Sequence, residues 1–272
     1  MFTISQVLQH SSAKFSLIPF ITAGDPDLYT TAEVIQTLDY ARVDIIELGL
    51  PYSVPLADGP VIQAASSRAL SKKTHFKTVL NLIKSVNCNL NTPLVLFTYY
   101  NPLLSYGTFK FIQYISYTGI QGILIPDLPL EESEYVLHLC YYFNIELIFL
   151  VAPTSTLERT KKIVNKTSGC IYLVSKTGVT GTYSILQRRV QDLINYITYI
   201  TKKPLIVGFG ISTVEQVVRL CKLKIQGVVL GSIFVSKLAN KKSKDNVKKV
   251  FSFCQDIKQK IKEYKKSTPR GI

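Results

Sequence analysis

Three carboxylates and a set of glycine-rich turns are the residues of this chain whose types and spacing could do chemistry. Glu47 stands inside an apolar run, Ile45-Ile46-Glu47-Leu48-Gly49. Burying a lone carboxylate costs several kcal/mol unless it is paired or neutralised. Its pKa should therefore rise, which suits it to give and take a proton near neutrality. A structural salt bridge, or a side chain that reaches solvent, would account for Glu47 equally well. Asp58 follows in Pro55-Leu56-Ala57-Asp58-Gly59-Pro60, where flanking prolines restrain the backbone. Two carboxylates from one strand and its following loop can flank a substrate in different environments and so take different roles. Asp127, in Ile125-Pro126-Asp127-Leu128-Pro129, is a third acid at the end of an apolar run.

Eight of the fourteen glycines (Gly24, Gly49, Gly59, Gly178, Gly181, Gly208, Gly210 and Gly231) fall just after apolar runs. Glycine permits positive φ and close approach of a ligand to the backbone, although tight turns alone would explain any one of them. Gly208-Phe209-Gly210-Ile211-Ser212 and Gly231-Ser232 are the groups that suit an anion, because barrel folds place phosphate in the loops after the seventh and eighth strands. The Gly208-x-Gly210 pair lacks the third glycine and downstream acid of a dinucleotide site, and there is no Walker A run. A phosphorylated small molecule fits better than a nucleotide. Lys176 offers different chemistry, a Schiff base if desolvated, which would make the protein a class I aldolase. Its neighbours Thr177 to Gly181 read as a mobile lid more than a rigid apolar pocket. Tyr99, Tyr100 and Tyr172 at strand ends could pack an aromatic substrate, and packing at a barrel rim explains them too.

These residues need elements to position them. Short runs rich in Ile, Val, Leu and Phe predict strands at Leu17–Thr22, Ile45–Leu48, Leu94–Thr98, Gly122–Ile125, Glu146–Val151, Ile171–Val174, Leu205–Gly208 and Gly227–Leu230. Helical patterns lie between them, among them Tyr29–Tyr40, Phe76–Val86, Phe109–Tyr117, Glu131–Tyr142, Ser184–Tyr199 and Val214–Cys221. Continuously apolar strands are buried on both faces, as in a parallel sheet flanked by helices. Strict alternation of this kind predicts a single-domain (β/α)8 TIM barrel spanning 1–272, with a doubly wound sheet as the alternative. Two excursions interrupt the pattern, Pro51 to about Thr74 and Lys176 to Tyr183. An N-terminal helix over Phe2–Leu8 would plug the bottom of the barrel, and a basic C-terminal helix or tail is expected at about 245–272.

Composition excludes other classes. The chain has 272 residues, 47% hydrophobic and 18% charged, too apolar for disorder. Mean hydropathy is +0.19, yet the apolar runs are far shorter than the roughly 20 residues a spanning helix needs, so no membrane segment is expected. The formal net charge of +14 is concentrated from Lys237 onward, largely as Lys, which reads as a solvated helix face. No zinc-finger or RNP-type pattern accompanies it, and no nucleic acid is expected. Cys88, Cys140, Cys170, Cys221 and Cys254 are scattered without a Cys-x-x-Cys. That spacing predicts free thiols in a reducing compartment and no metal site. The opening residues carry neither a signal-peptide pattern nor a transit-peptide pattern. A soluble intracellular protein is expected. Abundant Lys, Tyr and Phe, few Arg and no Trp hint at an AT-rich genome, so the compartment is cytoplasm or, for a plastid-encoded chain, the plastid stroma.

At these residues the sequence resembles the tryptophan synthase alpha chain family. The likeness is strongest in IIELGLPYSVPLADGPVIQ (45–63). It continues in order through LIPFITAGDP (17–26), LVLFTYYNPL (94–103), PDLPLEE (126–132), YLVSKTGVTG (172–181), VGFGIS (207–212) and LGS (230–232). The resemblance implies a barrel lyase that splits indole-3-glycerol phosphate into indole and glyceraldehyde 3-phosphate. It implies no cofactor in this chain, and a beta subunit carrying pyridoxal phosphate as partner in an alpha2-beta2 tetramer. Carried over position by position, Glu47 and Asp58 correspond to the catalytic pair. Phe20, Tyr99, Ile125, Tyr172 and Phe209 would enclose indole. Gly181, Gly210, Gly231 and Ser232 would hold phosphate, and Thr180 would help close the lid over Asp58. Two positions depart from the family pattern: Val54 stands where the family commonly has aspartate in the loop facing the beta subunit, and Lys176 where arginine is frequent. Another phosphate-binding barrel enzyme, such as a Schiff-base aldolase using Lys176, is the alternative reading.

Overall fold

The computed structural model describes residues 3–10, 15–88, 90–174, 183–208, 210–211, 213–239 and 243–267. In chain order the elements begin with α1 (Ile4–His10), β1 (Ser16–Thr22), α2 (Leu28–Tyr40), β2 (Ile46–Gly49), α3 (Pro60–Ser71) and α4 (Phe76–Asn87). Then come β3 (Leu94–Phe97), α5 (Tyr100–Tyr106), α6 (Thr108–Ser116), β4 (Gly122–Leu124), α7 (Ser133–Tyr142), β5 (Glu146–Val151) and α8 (Leu157–Lys166). The last third holds β6 (Ile171–Val174), α9 (Tyr183–Ile200), β7 (Leu205–Gly208), α10 (Val214–Leu220), β8 (Gly227–Leu230), α11 (Ser232–Leu238) and α12 (Ser243–Ser267).

The strands are too apolar to expose either face. They solve this by pairing in parallel, in chain order from β1 to β8, with β8 closing on β1. The sheet is a closed barrel, and the doubly wound alternative falls. Alternation along each strand divides the apolar residues into two cores. Leu17, Ile21, Leu48, Leu96, Ile123 and Leu173 face outward and pack against the surrounding helices. Ile18, Phe20, Ile45, Val95, Phe97, Ile148, Tyr172, Ile206 and Val229 face inward and fill the barrel. Ile4 and Leu8 of α1 join this inner core and are fully buried, so the expected N-terminal plug is present. Gly122 makes room for it: a Cβ there would stand 3.0 Å from Ile4 Cγ1.

Helices α3 and α5 are absent from the sequence expectation, and the C-terminal helix is present where it is expected. The excursion expected from Pro51 to Thr74 contains α3, whose buried face is built from Ile62, Ala65, Ser66 and Ala69. Three small side chains of that kind leave little apolar periodicity to read. The C-terminal helix begins at Ser243 and is described to Ser267. It buries Val250, Cys254, Ile257 and Ile261. Its charge is less of a solvated run than the sequence implies. Lys258 Nζ donates to the carbonyls of Ala41 (2.8 Å) and Arg42 at the end of α2, where the helix dipole favours a cation. Lys237 Nζ lies 4.4 Å from the centre of the Phe253 ring. The exposed lysines Lys248, Lys249, Lys260 and Lys262 are interspersed with exposed Asp245, Asp256 and Glu263. No helix among the described residues is long and apolar enough to cross a membrane.

Candidate active site

The C-terminal ends of the strands surround a cavity of about 360 Å³. Phe20 of β1, Glu47 of β2, Phe97 of β3, Tyr172 of β6 and Val229 of β8 project into it from the barrel wall. The loop after β2 supplies Leu56, Ala57, Asp58 and Gly59, α3 supplies Pro60 and Ile62, and the last two strand–helix loops supply Gly210, Gly231 and Ser232. Inward alternation dictates the wall: Phe20 pairs in register with Glu47, and Glu47 with Val95. The rings of Phe20 and Phe97 meet edge to face with centres 5.5 Å apart.

Glu47 is 3% exposed. Among the described residues no cation pairs with it. Burial, with the Asp58 carboxylate nearby adding to it, pushes its carboxyl up from 4.5 to about 8. The salt-bridge explanation for Glu47 thus finds no support among the described residues. Asp58 is treated differently by its surroundings. Burial raises it from 3.8 to about 6, opposed by the Tyr99 hydroxyl, which donates to Asp58 Oδ2 at 3.0 Å. That hydroxyl in turn accepts from the Ala57 N–H at 3.1 Å. Asp58 Oδ1 is buried and has no hydrogen-bond partner among the described residues. Around neutral pH one carboxyl is therefore mainly neutral and the other mainly charged, the division of labour that acid–base chemistry needs.

Tyr99 stands behind the loop rather than in the cavity wall. It is buried, its ring stacks on Tyr52 at 5.2 Å, and its hydroxyl braces Asp58. Ile125 is buried against a second cavity of about 430 Å³, lined also by Pro126, Leu150 and Val174. The two cavities share Leu56 and Ala57 of the β2–α3 loop, so that loop forms the partition. Asp127 turns away to bond the start of α5, accepting from the Tyr100 N–H at 2.8 Å. Thr180, Gly181, Phe209 and Lys176 lie outside the described residues.

The glycines have separate physical reasons. Gly210 has φ +70°, a left-handed conformation that a side chain rarely tolerates. A Cβ on Gly208 would collide with the Tyr172 hydroxyl, so β7 yields its side chain to Tyr172. Gly231 precedes the first turn of α11, where the leading N–H groups have no partner within the helix. The sequence reading does not single out Phe97, Ile62 and Val229. Phe97 and Val229 look like any other apolar strand residue, and only their inward parity sets them apart.

A family model described as the tryptophan synthase alpha chain matches residues 6–262. A tryptophan synthase alpha chain of Pyropia yezoensis is 52% identical over 96% of this chain and 99% of its own length. One of Trichodesmium erythraeum is 47% identical over 93% and 96% respectively. Among solved structures, the tryptophan synthase subunit alpha of Legionella pneumophila superposes with a TM-score of 0.86 at 29% identity, covering 97% of this chain and all of the other. A tryptophan synthase complex of Pyrococcus furiosus superposes with a TM-score of 0.79 at 33% identity, over 91% of this chain and 98% of the other.

Proposed function

Since this chain belongs to the tryptophan synthase alpha chain family, its reaction is the cleavage of indole-3-glycerol phosphate to indole and glyceraldehyde 3-phosphate, and we propose that Glu47 and Asp58 carry it out. The observation that supports this pairing is the opposed state of the two carboxyls in one cavity, Glu47 raised to about 8 and Asp58 to about 6. Between those values Glu47 holds a proton and Asp58 does not. The neutral Glu47 protonates indole C3, which turns the ring into a leaving group. The resulting Glu47 carboxylate takes the proton of the glycerol hydroxyl next to the breaking carbon–carbon bond. The bonding electrons return to the indole ring, the hydroxyl carbon becomes the aldehyde, and Glu47 ends protonated as it began. Asp58 accepts the indole N–H and offsets the positive charge that develops on the ring. Its buried Oδ1, without a partner among the described residues, is the acceptor an indole N–H would satisfy.

Phe20, Phe97 and Tyr172 give the ring an apolar wall, with Tyr99 bracing Asp58 and Ile125 lining the adjoining cavity. Phosphate is assigned to Gly210, Gly231 and Ser232 with Gly181, while Phe209 joins the residues around indole and Thr180 the lid over Asp58, as the family pattern implies. Backbone amides suit a phosphate without requiring a cation. Holding the phosphate away from the reacting carbon fixes that carbon for attack.

Tryptophan synthase alpha chains function with a beta subunit. For this chain we assign an alpha2-beta2 assembly, with pyridoxal phosphate in the beta subunit and none here. Val54 and Leu56, exposed in the partition loop, present an apolar edge where the family commonly places an aspartate. Relatives in the red algae Pyropia yezoensis and Antithamnion support a plastid-encoded origin. The deciding experiment is indole release from indole-3-glycerol phosphate, with beta subunit present, by wild type, Glu47→Gln and Asp58→Asn. Loss of turnover in both variants is expected. Wild-type rates in either would remove that residue from the mechanism.

A further inference from the structure

Asp58 is the member of the proposed pair that a loop carries, and something has to hold that loop. Upstream of it Ser53, Val54, Leu56 and Ala57 are exposed. Downstream the chain passes through Gly59 directly into α3, and the Gln63 side chain donates to the Asp58 carbonyl at 2.9 Å. The Tyr99 hydroxyl braces the Asp58 carboxylate and the Ala57 N–H, and the Asp58 backbone takes its position from α3. That helix buries mostly small side chains, and small side chains give little apolar area to fix its rotation.

A charge-assisted anchor supplies what packing does not. Arg68, in the last turn of α3, donates from Nε and Nη2 to Oδ1 and Oδ2 of Asp25 at 2.7 and 2.8 Å. Asp25 is 2% exposed, so the fork supplies the hydrogen bonds that water cannot, whereas Arg68 keeps part of its side chain in solvent. Paired planar hydrogen bonds fix orientation as well as distance. The same turn after β1 holds α3 at a second point. Gly24, with φ +82°, lies so close to the side chain of buried Thr74 that a Cβ would collide with it. Thr74 follows the end of α3 and is bonded back to it through the Ala69 carbonyl at 3.1 Å. Arg68 does not line the cavity.

We propose that the Asp25–Arg68 pair is a positioning device for the reaction, fixing the rotation and axial position of α3 and so the place where Asp58 and Ile62 face Glu47. The inference rests on the reading of Asp58 as catalytic. A displacement of about 1 Å in a reacting group can cost about 100-fold in rate, so a loosened α3 should register in turnover before it registers in substrate affinity. Lysine would keep the charge of Arg68 and lose the fork.

Indole release should be measured against pH for Arg68→Ala, Arg68→Lys and Asp58→Asn, each with beta subunit present, together with the melting temperature of each. For Arg68→Ala, kcat should fall about tenfold well below the melting temperature, with KM near wild type. The acid limb of its pH profile should move toward lower pH as Asp58 gains water. Arg68→Lys should shift both quantities in the same direction, and it decides the matter if Arg68→Ala does not fold. A lowered melting temperature with wild-type kcat and an unmoved acid limb, while Asp58→Asn is inactive, overturns the positioning role alone. Wild-type turnover by Asp58→Asn overturns that role together with the assignment of Asp58.

Discussion

Two glutamates are buried at opposite ends of the same barrel, and their surroundings could hardly differ more. Glu146, at the N-terminal end of β5, accepts from the Ser5 N–H at 3.0 Å, the Ser5 hydroxyl at 2.8 Å and the Cys170 N–H at 2.8 Å. Glu47, the second residue of β2, lines the cavity at the C-terminal ends of the strands and has an apolar wall and a second carboxylate instead. Both are inward-facing acids in strands, and both sit beside cavities. The larger cavity, about 470 Å³, is the one beside Glu146. Volume therefore does not mark the chemical end of this barrel. What marks it is a carboxyl that no donor among the described residues satisfies, since burial without donors keeps a proton available.

The largest effect should come from Glu47→Gln, which keeps the shape and removes the exchangeable proton; turnover should fall on the order of 10³-fold, with the circular dichroism spectrum unchanged. Glu146→Ala should do the reverse. It strands the Ser5 and Cys170 donors and should cost on the order of 3 kcal/mol in urea unfolding, with kcat unchanged well below the melting temperature. A loss of turnover comparable to that of Glu47→Gln would end the division into a chemical end and a structural end.

The stability of Glu47→Gln relative to wild type sharpens the contrast further. Because the folded state holds the Glu47 proton more tightly than the unfolded chain does, wild-type stability contributed by this group is lost as pH rises from about 4.5 to about 8. Glutamine has no such dependence. The variant should therefore gain on wild type across that window, by a few kcal/mol at most, and the gain should level off above it. A difference flat in pH would mean that Glu47 is not buried without compensation. Turnover of the wild type should peak between about pH 6 and 8, where Asp58 is charged and Glu47 neutral. The smallest effect belongs to Ser5→Ala, which removes the hydroxyl bond and leaves the amide bond; about 1 kcal/mol of stability should go, with no change in rate.

Most of the barrel was legible because a buried parallel strand leaves a continuous apolar run, and each such run lies within about a residue of the strand it forms. Helix α3 was not. Ala65, Ser66 and Ala69 carry its buried face, and small residues do not draw the helical period that Val79, Leu80 and Ile83 draw in α4. Helix α5 holds Pro102 in its first turn and so reads locally as loop. At the site, Glu47 and Asp58 stood out as charges in the wrong company, and the glycines as gaps. Phe97 and Ile62 gave no such signal, since an apolar residue facing a cavity is spelled the same as one facing a neighbour. Ile125 and Tyr99 show the converse: a residue at the right strand end, with its side chain committed to the next cavity or to bracing a neighbour.

The plug helix has a consequence for how the chain is made. Ser5 is tied to Glu146, its neighbour Ile4 sits on Gly122, and the seat is closed by the backbone of Cys170. Helix α1, which precedes these strands in the chain, is seven residues long, too short to persist alone in water. It cannot be seated until β4, β5 and β6 have been synthesised and paired. Its docking therefore reports on assembly of the barrel's middle, and a protease site placed at Ser5 would stay open during translation and close only when that assembly is complete.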